Sequence, residues 1–157
     1  MCFANYCVFI VDDESLIAFQ LEDLVKSLGA HAVTMSKSCS ALETLKQAEG
    51  SFQLAIVDIR NANELCVGLL REISRQQLPV VLTTTDSEIE TDLLADIPLR
   101  QVVVRKPFDG EDIRHAVRQL SQEAEAGNGA GPSQTPGRDP VPASLNGIKQ
   151  GGTGQDV

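Results

Sequence analysis

The sequence predicts an α/β domain: a doubly wound, five-stranded parallel sheet with helices on both faces. Two observations predict it. Strand and helix signals alternate five times between residues 7 and 123, and the strand segments are short and apolar on both faces. A third observation points to function. The conspicuous polar residues fall where strands end, the edge at which open α/β sheets place their sites.

The first apolar run, Cys7 to Val11, ends in Asp12-Asp13-Glu14. Ser15 can cap a helix to about Leu28, with Ile17, Leu21, Leu24 and Leu28 on one face, and Gly29 is a good stop. On that helix Phe19 and Leu16 lie on one flank of the apolar stripe centred on Leu24, outside the expected core. His31 to Met35 reads as a second strand and Ser40 to Glu49 as a helix closed by Gly50. Gln53 to Asp58 is a third strand, followed by a helix over Glu64 to Gln77 with Leu65, Leu69, Leu70 and Ile73. Pro79 opens a fourth strand, Val80 to Thr84. A weak, acidic helix is expected over Ser87 to Ala95. Val102 to Arg105 is a fifth strand, and Asp109 caps a last helix from Gly110 to about Glu123, with Ile113, Val117 and Leu120 inward.

At 157 residues and 42% apolar, the chain can bury one core. Residues 1–125 are expected to form the domain and 126–157 a disordered tail. From Gly127 onward the tail holds eight of the twelve glycines and four of the seven prolines, with no aromatic residue. Its charges cancel, so the net charge of −9 sits on the domain. So acidic a surface excludes nucleic-acid binding and suits divalent cations and basic partners. Cys2, Cys7, Cys39 and Cys66 form no CxxC pair and no zinc spacing, which fits reduced thiols, with Cys7 a buried small hydrophobe and Cys66 a partly exposed thiol. Met1 to Val11 lacks a basic region and a small-residue cleavage site, and its apolar run is far short of the roughly 20 residues of a membrane span. A cytoplasmic protein without a membrane contact is expected.

The strand ends bring together Asp12 and Asp13, Asp58, Thr83-Thr84-Thr85 and Lys106-Pro107. Each alone has an ordinary explanation: a helix cap, a turn, a β-former, a loop. Jointly they place three carboxylates, a hydroxyl and an ammonium on one edge. Carboxylates so close repel one another unless a cation lies among them, and an oxygen-lined site suits Mg2+. A carboxylate, a metal and an ammonium together can handle a phosphoryl group.

The segments VFIVDDES at 8–15, AIVD at 55–58, PVVLTTT at 79–85 and VVVRKPF at 102–108 resemble the receiver domain of two-component response regulators, over about residues 5–124. The resemblance implies a flavodoxin-like receiver fold and Asp58 as phosphoacceptor. It implies Mg2+ held by Asp13 and Asp58, by Asp12 partly through water, and by the backbone carbonyl of Arg60. Lys106 would contact the phosphoryl group and pair with Asp58, Thr84 would move to bond it, and the Lys106–Pro107 bond would be cis. The helix face carrying Phe19 and Leu16 would dock a histidine kinase or histidine phosphotransferase. The chain would be a single-domain regulator, monomer or weak dimer, catalysing only its own phosphorylation and dephosphorylation.

The sequence departs from the family in two places. Val103 stands where an aromatic residue is usual, so an aromatic flip cannot be the switch. The loop after Asp58 reads Ile59-Arg60-Asn61-Ala62-Asn63-Glu64 and resembles a subgroup of stand-alone receivers. Arg60 and Asp86 are expected to face each other across the mouth of the site, and Asp13→Ala to leave the fold intact. Rival readings fit less well. A haloacid-dehalogenase-like phosphatase needs a second Asp where Arg60 stands, and a flavodoxin-like cofactor binder needs a Ser/Thr/Gly loop where Asp12-Asp13-Glu14 stands. A degenerate receiver that binds partners without phosphorylation would need none of the residues that are intact here.

Overall fold

Five stretches of β-branched and aliphatic residues pair side by side: β1 (Cys7–Val11), β2 (Ala32–Ser36), β3 (Leu54–Ile59), β4 (Val80–Thr84) and β5 (Gln101–Arg105). The structure is a computed structural model and describes residues 5–60, 63–85 and 94–129. All pairs are parallel, in the order β2-β1-β3-β4-β5, so the chain reverses its winding direction beside β1. The described helices are α1 (Ser15–Ser27), α2 (Ser38–Gln47), α3 (Glu64–Arg75) and α4 (Gly110–Gly129).

The sheet separates two cores. On one side Phe9, Val11, Val57, Ile59, Val80 and Leu82 pack against α2 and α3 through Ala41, Leu45, Leu69, Leu70 and Ile73. On the other, Val8, Ile10, Leu54, Ile56, Val81 and Val104 pack against α1 and α4 through Leu21, Val25, Ile113, Val117 and Leu120. Strand residues alternate between the two clusters, the period-two pattern of a sheet covered on both faces. Phe52 stacks on Phe9 with ring centroids 4.9 Å apart and closes the first core.

Several boundaries differ from the sequence reading, each for a local reason. The stripe of α1 centres on Leu21, flanked by Ala18 and Val25, while Ile17, Leu24 and Leu28 are half-buried. Small Ala18 lets the helix approach the sheet, a packing effect that hydropathy alone does not register. Ser15 is the first helical residue rather than the cap, because Asp12 Oδ1 already accepts the Glu14 N–H at 2.8 Å. α2 begins at Ser38, two residues early, for a reason that belongs to the site. α3 stops at Arg75: Gln77 takes a left-handed φ of 54° and the Leu78 N–H returns to the Ile73 carbonyl at 3.1 Å. Leu65 is exposed and Cys7 only half-buried. Asp109 does cap α4, accepting the Glu111 and Asp112 N–H groups at 2.9 and 3.0 Å, while Asp112 accepts the Asp109 N–H at 2.9 Å. α4 continues to Gly129, past the expected start of the tail. The rest of the tail, and most of the acidic helix expected over 87–95, lie outside the described residues. No helix among the described residues is long and apolar enough to cross a membrane.

Glu72 is a buried charge on α3. Arg75 and Gln76 donate to it and hold its carboxyl down at about 2, and Arg75 also pairs with Glu49 at 2.8 Å. A carboxyl lowered in the fold contributes stability above its ordinary value of 4.5, and that contribution is lost as pH falls toward 2. Urea melts of parent and Glu72→Gln should therefore differ at pH 7, with the parent the more stable, and converge as the pH is lowered through that range.

Candidate functional site

The alternation that builds the second core also builds the site. Val8 and Ile10 of β1 lead to Asp12; Leu54 and Ile56 of β3 lead to Asp58; Val81 of β4 leads to Thr83; Val104 of β5 leads to Lys106. Each polar residue is the next of the same parity, so four apolar rows end in polar groups at the carboxyl edge, beside the winding reversal.

Those groups meet. Lys106 Nζ lies 3.0 Å from Asp58 Oδ1 and 3.5 Å from Asp12 Oδ2, with the three side chains 12%, 5% and 0% exposed. Thr83 Oγ1 is 3.4 Å from the same Asp58 oxygen. The Lys106 N–H donates to the Thr84 carbonyl at 2.8 Å, and the Lys106–Pro107 bond is cis, as the resemblance implied. Thr84 is buried one step on, in register with Ile59, and so lies on the α2/α3 side together with Val103.

Arg60 does something the sequence did not suggest. Its side chain turns back over the edge, with Nε 2.9 Å from Asp58 Oδ2, Nη2 2.5 Å from Glu14 Oε1 and 3.8 Å from Asp12 Oδ1. The expected pairing partner, Asp86, lies outside the described residues. Asp13 also plays an unforeseen part. Its carboxylate accepts the Ser38 N–H and hydroxyl, each at 2.8 Å, and so caps α2. The early start of that helix follows from this bond. Asn63 caps α3 by accepting the Cys66 N–H at 2.9 Å.

The electrostatics follow from these contacts. Burial, with the Asp58 charge nearby, pushes the Asp12 carboxyl up against the opposing pull of the Glu14 N–H and Lys106. Donation from Ser38 holds the Asp13 carboxyl below its ordinary value. The bond to Asp58 raises the already basic Arg60, and burial, with Asp58 behind it, pushes the Cys66 thiol up.

The edge has the chemistry of a hard-cation site. Asp12, Asp13, Glu14 and Asp58 supply oxygen donors only, Lys106 leaves them in negative excess, and a guanidinium of the chain stands among them as a cation does. Among the described residues no three acidic, His or Cys side chains are already gathered as ligands; Asp13 is turned to Ser38.

A doubly wound, five-stranded parallel sheet in this strand order, with a lysine-clasped carboxylate at its switch edge, is a flavodoxin-like α/β fold. The model of the response regulator receiver domain matches residues 8–118, and the chain belongs to that family. No curated protein matches it. A receiver domain protein from Clostridium thermocellum is 21% identical with a TM-score of 0.64, over 77% of this chain and 98% of that one. The PhyR response regulator REC domain of Erythrobacter litoralis is 28% identical with a TM-score of 0.57, over 76% and 92%. A response regulator receiver protein from Sinorhizobium medicae is 22% identical with a TM-score of 0.58, over 74% and 94%.

The cap adds a stability cost to Asp13→Ala. That variant should lose about 1 kcal/mol of stability, because it removes the acceptor of the Ser38 N–H, whereas Ser38→Ala removes only the hydroxyl bond and should lose less. The double variant should lose little more than Asp13→Ala alone, a non-additivity that chemical denaturation can measure.

Proposed function

We propose that this chain is a cytoplasmic response regulator that accepts a phosphoryl group on Asp58 from the phosphohistidine of a kinase or phosphotransferase. The observation that carries the reading is the Asp58–Lys106 pair: a buried carboxylate with a cation on one oxygen, at the only edge where four strands end in polar groups among the described residues.

An Asp58 oxygen attacks phosphorus, the P–N bond to the donor imidazole breaks with its electrons returning to nitrogen, and an acyl phosphate forms. Lys106 then has a phosphoryl oxygen to neutralise in place of the carboxylate it clasps; Thr83 is a nearby hydroxyl that can donate to another, and Thr84 would have to turn from the α2/α3 side to do so. Attack of water on phosphorus restores the carboxylate and releases phosphate. Asp12, Asp13, Asp58 and the Arg60 carbonyl are the groups that would hold Mg2+, which when bound supplies positive charge to the phosphoryl oxygens. Arg60 over Asp58 supports a second reading, a receiver that binds partners unphosphorylated. Incubation with acetyl phosphate and Mg2+, followed by intact mass, decides between them. One added phosphoryl group in the parent and none in Asp58→Asn is expected; an unmodified parent favours the second reading.

The donor must approach over α1. Phe19 and Leu16 are 55% and 72% exposed there, and Phe19 lines a shallow depression with Met35 that opens beside Asp12. Isolated apolar residues on a surface are common, but these border the reactive edge. An aromatic anchor buried at an interface contributes about 2 kcal/mol. Phe19→Ala should slow transfer from the cognate phosphohistidine protein at least about tenfold. Its rate with acetyl phosphate and its melting temperature should stay at the parental values, and equal slowing with both donors would instead mean a damaged site.

A further inference from the structure

The two oxygens of Asp58 are not equivalent. Lys106, anchored by its strand, lies on Oδ1, and the other oxygen is covered by Arg60 Nε at 2.9 Å. The same guanidinium reaches Glu14 Oε1 at 2.5 Å and approaches Asp12 Oδ1 at 3.8 Å, so one side chain bridges the β3 carboxylate to those of the loop after β1. It lies in the space those carboxylates enclose. A fixed structural ion pair would be sealed on all sides, but Arg60 and Glu14 are 44% and 53% exposed, and both can swing into solvent without disturbing the core.

We propose that Arg60 is a resident counter-ion of the pocket, a latch that must leave Asp58 Oδ2 before a divalent cation can bind. The inference rests on the reading that this pocket takes such a cation. With the latch closed, the carboxylates have a partner of charge +1 and repulsion among them is relieved. With it open, the same oxygens are available to an ion of charge +2, while the backbone of residue 60 stays where the chain holds it. Latch and metal compete for one oxygen, so the apparent metal affinity is the intrinsic affinity multiplied by the fraction of open chains. Glu14 holds the outer end of the guanidinium and sets that fraction together with Asp58. A receiver of this kind responds only where divalent ion, or a docked partner that draws Arg60 away, is abundant enough to open it.

The test is a titration of the unphosphorylated, metal-stripped full chain with Mn2+, with free ion followed by electron paramagnetic resonance. If about one chain in ten is open, Arg60→Ala should bind Mn2+ about tenfold more tightly than the parent. Glu14→Gln separates a latch from a general charge effect. It removes a negative charge, which by Coulomb attraction alone weakens cation binding, whereas loosening the latch tightens it; tighter binding is the expected result. Tighter binding in Arg60→Ala with weaker binding in Glu14→Gln would reduce Arg60 to one positive charge among others and overturn the latch. Equal affinity in parent and Arg60→Ala would also overturn it, yet leave the cation pocket standing. Absence of Mn2+ binding in all three would overturn both, whatever the intact-mass measurement shows for Asp58.

Discussion

Burying two carboxylates at the end of an aliphatic core is costly, and the Lys106 ammonium is what makes it tolerable here. Asp12 and Asp58 are almost wholly removed from water, and Lys106 contacts both from the residue that follows β5. Its own N–H is tied to the β4 backbone at Thr84, so the ammonium is aimed by the sheet rather than by a flexible loop. Other features of the edge answer to this arrangement. The Glu14 N–H feeds Asp12 and thereby starts α1, and the surplus negative charge draws Arg60 inward from the loop after β3.

The site is also coupled to the helices around it. Asp13 serves as the α2 cap in the state described, bonded twice to Ser38 across 25 positions of sequence. A carboxylate cannot hold those two donors and turn fully toward a metal with the same geometry. Any reorientation of Asp13 during signalling therefore loosens the first turn of α2, and this gives the pocket a mechanical connection to one flank of the domain. Val103 packs with the α2/α3 core and offers no ring to rotate, so a route through α2 needs no aromatic switch.

Most of the fold was legible because it rests on patterns of short range. Five apolar runs, glycines after α1 and α2 at φ of 103° and 79°, and the Asp109 cap are local signals, and local signals placed β1, β3, β4 and α4 within a residue or two at their starts. The edge residues Asp12, Asp58 and Lys106 were legible because each terminates an apolar run. What was missed depends on contacts distant in sequence. Ser38 starts α2 because of Asp13, Arg60 folds back because of Glu14, 46 residues away, and Ala18 joins the buried stripe of α1, which centres on Leu21. Thr83 could have been found by counting in twos along Val81-Leu82-Thr83, since parity puts it on the side of Asp58; the resemblance drew attention to Thr84 instead.

That parity has a consequence for how the chain reaches its structure. Sliding β3 by one residue against β1 would drive Asp58 into the α2/α3 core and put Ile59 in its place at the carboxyl edge. An aliphatic strand alone, as in Leu54-Ala55-Ile56-Val57, distinguishes poorly between neighbouring alignments, because both of its faces are greasy. The charged residue at its end removes the ambiguity: only one alignment leaves the carboxylate within reach of an ammonium. Asp58 is thus a proofreading mark for strand pairing, and a neutral apolar replacement there would make misaligned sheets competitive.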